Sequence, residues 1–281
     1  MRKGTRDRLR RSWLVGAAAA LALAVGVPAG LAVAASGPGA QVATAAAKKP
    51  KKKPPALKPY TGPKVTVFAG ASLTEVFQAM APKMTYSFAG SDQLAFQIRQ
   101  GAPADVFASA NVRYPDELFK AGLVTQPRIF TYNNVVVITP KSNPAGITSV
   151  QDLAKPGVKL VVADASVPVG SYARTMFRNL GISQPALANV VSNETDVKAV
   201  VAKVALGEAD AGVVYQTDVA PVKGKVTVVS VPDSAQPVAA YSIAVVGNTK
   251  SSSAASRFVT FVLSKNGQAW LRKYGFIPAP A

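Results

Sequence analysis

From Lys64 onward, apolar and polar positions follow two alternating rhythms. Val65-Thr66-Val67-Phe68 is a short β-branched and aromatic run, which predicts a strand. Leu73, Val76, Phe77 and Met80 then recur at i, i+3, i+4 and i+7, which places four apolar side chains on one helix face. Leu94 and Ile98 mark a second helix closed by Gly101, residues 105–109 a strand, and residues 115–121 a helix before Gly122. Strands are expected at 135–139, 160–163, 212–215, 226–231 and 242–246. Ala173, Met176, Phe177 and Leu180 predict a helix ending at Gly181, and Val197, Val200, Val201 and Val204 another ending at Gly207. A C-terminal helical stretch runs from Phe258 through Trp270 to Tyr274. Strands flanked by helices at this rhythm predict an α/β fold with largely parallel sheets. The stretch from 64 to 281 suits two lobes better than one open sheet.

The first 63 residues follow neither rhythm. They hold 12 Lys and Arg against Asp7 alone, so +11 of the formal charge of +18 lies there; residues 64–281, with 20 basic and 13 acidic residues, carry the other +7. The basicity belongs mostly to this extension, so no nucleic-acid partner is expected. Six Arg and Lys within residues 2–11 precede an uncharged Ala, Leu, Val and Gly stretch that closes on Ala32-Val33-Ala34, a small-x-small cleavage pattern. Residues 1–35 therefore predict a signal peptide for export to the periplasm or another extracytoplasmic space; left uncleaved, it would hold the chain at the membrane. Arg10-Arg11-Ser12-Trp13-Leu14 resembles a twin-arginine signal. Residues 36–63 predict a solvated Lys/Pro-rich linker, whose run Lys48-Lys49-Pro50-Lys51-Lys52-Lys53 suits contact with an anionic cell surface.

The chain has no Cys and no His, which excludes disulfides, thiolate zinc sites, imidazole metal sites and Ser-His-Asp or Cys-His catalysis. Asp105, Asp164, Glu194, Asp196 and Asp218 are scattered over strand ends and helix starts without a turnover motif, so no catalytic residues are expected. Asp105 instead predicts a structural acceptor at a strand start.

Four strand-to-helix junctions carry small or hydroxyl residues: Ala69-Gly70-Ala71-Ser72, Phe88-Ala89-Gly90-Ser91, Val167-Pro168-Val169-Gly170-Ser171 and Asn193-Glu194-Thr195-Asp196. Ser72 and Glu75 have the spacing of a capping box. Helix starts beyond the carboxyl ends of strands offer unpaired N–H donors, and several aimed at one point would hold an anion without any Lys or Arg. At any single junction the same residues serve as ordinary caps, and spacing alone does not show that four converge.

The blocks Lys64-Val-Thr-Val-Phe-Ala-Gly-Ala-Ser-Leu-Thr, Phe88-Ala-Gly-Ser-Asp-Gln-Leu-Ala, Gln100-Gly-Ala-Pro-Ala-Asp-Val-Phe-Ala-Ser-Ala, Val167-Pro-Val-Gly-Ser-Tyr-Ala, Gly212-Val-Val-Tyr and Lys273-Tyr-Gly-Phe resemble, in order, the periplasmic molybdate-binding proteins of ABC importers. The resemblance implies a two-lobed periplasmic-binding-protein fold with two chain crossings between lobes. Lobe I would comprise 64–132 and 241–281, and lobe II 133–240. It implies a monomer that captures molybdate or tungstate in the cleft, with molybdenum held only as the bound oxyanion, and delivers it to an ABC permease. Sulfate or phosphate is the alternative oxyanion. By position, Ser72 and Ser91 would give backbone N–H and hydroxyl, Val169 and Val197 backbone N–H, and Tyr215 its phenolic O–H. The stretch between Ser72 and Ser91 is shorter than usual for the family, and Asp92 stands where Ser or Thr is usual; its carboxylate is expected to turn outward.

Overall fold

The computed structural model describes residues 56–279; the signal peptide expected over 1–35 and the basic run of the linker lie outside the described residues. The first β-branched run forms β1 (Thr66–Gly70). A turn of 3-10 helix leads into α1 (Thr74–Met80), whose Val76, Phe77 and Met80 are buried as the spacing predicts. The short link back is β2 (Thr85–Ala89), followed by α2 (Ser91–Arg99), β3 (Val106–Ser109), α3 (Arg113–Lys120) and β4 (Arg128–Asn133). One residue further on, β5 (Val135–Pro140) begins a second set: β6 (Leu160–Ala163), α4 (Pro168–Asn179), α5 (Ser183–Ala188), β7 (Val190–Glu194), α6 (Val197–Ala205), β8 (Ala211–Tyr215) and β9 (Val226–Val229). The chain then returns through β10 (Ala239–Val245), α7 (Ser252–Leu263), α8 (Lys265–Lys273) and β11 (Ile277–Pro278).

The strands make two sheets, ordered β11-β4-β10-β3-β1-β2 and β7-β6-β8-β5-β9. The chain passes from the first to the second between β4 and β5 and returns between β9 and β10, so the α/β fold has two lobes and two crossings. The sheets are mixed rather than largely parallel. β1 runs parallel to β2 and β3, and β6 to β7 and β8, but β10 is antiparallel to β3 and β4, β11 to β4, and β5 to β8 and β9. The crossings cause this. β4 leaves the first lobe and β10 re-enters beside it, with Asn133 opposite Ala239, so the two neighbours run in opposite directions.

Each lobe buries its own side chains. In the first, Phe77, Phe130, Phe258 and Tyr241 are fully buried, with Phe77 edge-on to Phe258 at 5.9 Å. In the second, Val137, Val161, Val200, Val213 and Phe177 are fully buried. Gly212 on β8 allows α6 to lie close, since a Cβ there would stand 2.8 Å from side-chain carbons of both Val200 and Val204. The packed part begins earlier than position 64. Tyr60 is buried with its ring 5.5 Å from Phe258, and its N–H donates to the Met80 carbonyl at 2.7 Å. The Lys58 carbonyl accepts from the Trp270 indole at 3.1 Å. The last residues of the expected linker are thus fixed to the first lobe, because an aromatic ring and backbone groups there find apolar and polar partners.

Candidate functional site

The hydroxyl residues at the helix starts do not cap their own helices. The capping positions ahead of the 3-10 turn, α2 and α4 are Gly70, Gly90 and Val167, and none supplies a side-chain cap. The capping box expected of Ser72 and Glu75 does not form. α1 starts at Thr74, the Ser72 hydroxyl pairs with the Tyr241 hydroxyl at 2.9 Å, and the Glu75 carboxylate accepts from Lys198 Nζ at 2.8 Å. Ser91 accepts the Ala110 N–H on its Oγ at 3.0 Å, which leaves its own proton to donate elsewhere.

The five positions Ser72, Ser91, Val169, Val197 and Tyr215 come together as walls of one small cavity between the sheets. Gly70, Gly90, Ala110, Pro168 and Asp196 complete much of its lining, and among the described residues no Lys or Arg lines it. The donors are accounted for by helix geometry. In α2 the first backbone bond runs from Leu94 N–H to Gly90, and in α4 from Ser171 N–H to Val167, so the N–H groups before them have no intrahelical acceptor. In α4, Pro168 removes one of these and Val169 presents the next. At α6 the Asp196 carboxylate caps the helix by accepting from Lys198 N–H at 2.7 Å and Ala199 N–H at 3.1 Å, leaving Val197 N–H outside the cap. Three helix starts therefore aim main-chain N–H groups and partial positive charge at the cavity.

Tyr215 closes the floor. It is 1 % exposed, and its hydroxyl has no hydrogen-bond partner among the described residues. Burial, reinforced by the neighbouring Tyr241, pushes this phenol well above its ordinary value, so it remains an O–H donor. A buried phenol with no partner costs free energy unless something in the cavity accepts from it. Below it, Asp218 Oδ2 accepts the Tyr215 N–H at 3.2 Å. Asp218 is fully buried, and burial pushes its carboxyl up to about 6 against the pull of Lys198, whose Nζ stands 3.1 Å from Oδ1.

Asp92 does not line the cavity. Its Oδ2 lies 3.0 Å from the Ser166 hydroxyl of the second lobe, whose one proton it shares with Asp164 Oδ1 at 2.9 Å. Tyr114 also donates to the Ser166 carbonyl, and Tyr172 to the Ala110 carbonyl at 3.4 Å, so the two lobes touch at the mouth of the cleft. Asp105 lies elsewhere: it accepts the Thr66 N–H at 2.7 Å and the Thr249 hydroxyl, a structural acceptor as its position predicts. Sequence reasoning missed Tyr241 and Asn133, which stand behind Ser72; no local motif marks them.

Residues 65–277 match the family of bacterial extracellular solute-binding proteins. The molybdate-binding protein ModA of Mycobacterium tuberculosis is 40% identical over 222 residues, covering 75% of this chain and 84% of the relative. ModA of Escherichia coli is 31% identical over 229 residues, covering 76% of this chain and 88% of the relative. The periplasmic molybdate-binding protein of Azotobacter vinelandii superposes with a TM-score of 0.69 over 77% of this chain and 100% of its own; at 18% identity this is a likeness of fold. With its two lobes, its two crossings and a donor-lined cavity between them, the chain belongs to the bacterial extracellular solute-binding protein family, alongside these molybdate-binding relatives.

Proposed function

We propose that this protein captures molybdate, and tungstate with it, between its lobes outside the cytoplasm and hands it to the permease of an ABC importer. The observation that carries this reading is the buried Tyr215 hydroxyl, which among the described residues has no partner, in a cavity walled by main-chain N–H groups and serine hydroxyls and lined by none of their basic side chains. Its relatives are binding proteins, and the chain acts by binding and release rather than by turnover. A fully deprotonated tetrahedral dianion accepts hydrogen bonds at every oxygen and needs no acceptor from the protein. Hydrogen bonds to charged groups contribute about 1.5–3 kcal/mol each. Five to seven of them could offset dehydration and leave an affinity of about micromolar or tighter.

In this reading Ser72 and Ser91 donate through hydroxyl and backbone N–H, Val169 and Val197 through backbone N–H, and Tyr215 through its phenol. Molybdate and tungstate share charge and shape, so the cavity accepts both. Sulfate is smaller and fails to reach every donor at once, and a protonated phosphate brings a proton where the lining offers mostly donors and the Asp196 carboxylate is engaged in capping α6. The protein works as a monomer. Residues 1–35 direct its export, and the basic linker keeps it near the anionic envelope surface in a salt-dependent way.

Isothermal titration tests the reading. Sodium molybdate is expected to bind at micromolar concentration or below, and sulfate or phosphate far more weakly. Binding of sulfate or phosphate with no heat from molybdate rejects it.

A further inference from the structure

We propose that Tyr241 and Asn133 are positioning residues: they hold the hydroxyl proton of Ser72 on the cavity side, so that Ser72 meets an oxyanion as a donor. The inference rests on the oxyanion reading above and extends it to residues outside the cavity wall.

One fixed donor orients the first link of the relay. The backbone N–H of Asn134 can only donate, and it lies 3.0 Å from the Asn133 side chain, so the atom it meets is Oδ1. The amide is thereby oriented, and Nδ2 faces the other way. Its two protons go to Thr217 Oγ1 at 2.9 Å and to the Tyr241 hydroxyl oxygen at 3.3 Å. Tyr241 is fully buried and its oxygen accepts from Asn133; its own buried proton needs an acceptor, and among the described residues its hydrogen bonds offer one, Ser72 Oγ, 2.9 Å away, to which we assign it. Ser72 is 3 % exposed and lines the cavity, so with an acceptor site filled by Tyr241 its own proton points inward. Left undirected, the same serine could donate to Tyr241 and present lone pairs to the ligand, which would repel a dianion. Asn133 ends β4 and Tyr241 lies on β10, so the relay runs through the crossing strands.

A double-mutant cycle separates this role from simple packing. Tyr241→Phe keeps the ring and its contacts with Phe130 and Phe276 and removes only the hydroxyl. Wild type, Tyr241→Phe, Ser72→Ala and the double variant are titrated with sodium molybdate, and melting shifts at millimolar molybdate extend the range for weak binders. Tyr241→Phe is expected to weaken molybdate about fivefold or more when Ser72 is present, the loss of roughly one hydrogen bond. It is expected to change affinity by less than about twofold when position 72 is Ala, because the hydroxyl it directs is gone. An equal loss in both backgrounds overturns the proposal and leaves the oxyanion reading intact; a wild type that ignores molybdate overturns both. Should Tyr241→Phe fail to fold, Asn133→Leu is measured in the same two backgrounds, with a smaller loss expected only where Ser72 remains.

Discussion

The Ser166 hydroxyl stands 3.0 Å from Asp92 Oδ2 of the opposite lobe and 2.9 Å from Asp164 Oδ1 of its own, so its one proton is shared between two carboxylates and joins the first turn of α2 in one lobe to the loop ahead of α4 in the other. The bond lies outside the cavity, at its rim, so it holds the lobes together without touching a ligand. Ser166→Ala is expected to speed molybdate release and weaken affinity by about fivefold, close to 1 kcal/mol for one hydrogen bond to a charged group near solvent. The melting temperature without ligand should hardly move. Stopped-flow release rates check this; an unchanged rate would mean that the contact holds nothing.

Tyr215→Phe removes a hydroxyl that has no partner among the described residues. Molybdate affinity should fall by about tenfold to a hundredfold, the loss of a hydrogen bond to a charged ligand. The ligand-free protein should melt no lower than wild type, because a buried orphan donor has been deleted. Titration and calorimetry on the same samples read both quantities, and a lower melting point with intact binding would contradict the assignment.

Gly90 adopts φ −57 and ψ 137, a conformation open to any residue. A Cβ there would nonetheless stand 2.6 Å from the Thr195 carbonyl oxygen of the opposite lobe. Gly90→Ala should therefore obstruct closure; within its own lobe the Cβ would also stand 2.5 Å from Asp92 Oδ1, a side-chain end that must turn aside. Affinity is expected to drop about tenfold or more, since the closed state binds best. Small-angle scattering with saturating molybdate should show a larger radius of gyration than wild type.

The Asp218 carboxyl is pushed up to about 6 from 3.8, mainly by burial. The folded state thus binds more protons than the unfolded one between about pH 4 and 6, and linkage makes stability fall as pH rises through that window. The lowered carboxylates, Glu117, Asp152, Asp164 and Glu194, act in the opposite sense and only below their ordinary values. Melting temperatures taken from pH 4.5 to 6.5 should decline for wild type and flatten for Asp218→Asn. A wild-type curve that rises across this range would reverse the sign and refute the argument.

Much of the fold is legible in the residues. β5, β6 and β8 are buried throughout, so they read as continuous apolar runs, and the helix packed over β6 and β8 keeps Val197, Val200, Val201 and Val204 on one face. The rest lacks a period to detect. β4 sets exposed Arg128 and Ile129 before buried Phe130 and Thr131, β7 is a half-exposed edge strand with Val191 outward, and α5 is six residues long. At the site, small and hydroxyl residues at strand-to-helix junctions are visible as chemistry but equally visible as caps. Family resemblance named the five positions. The relay behind Ser72 escaped both, because Tyr241 lies 169 residues from Ser72 and 108 from Asn133, and only the crossing strands bring them together.

Asn134 is the single residue between β4 and β5. A joint that short lets the halves swing but gives them no slack to slip past one another. The return link between β9 and β10 is longer and can follow the swing. Displacement then grows with distance from the joint, as along a door. The Asn133–Tyr241 pair sits beside the axle and is expected to stay assembled while the door is ajar, whereas the Asp92–Ser166 contact, on elements not contiguous with the joint, is expected to part. An arriving anion meets a prepared inner corner, and the outer edge shuts behind it.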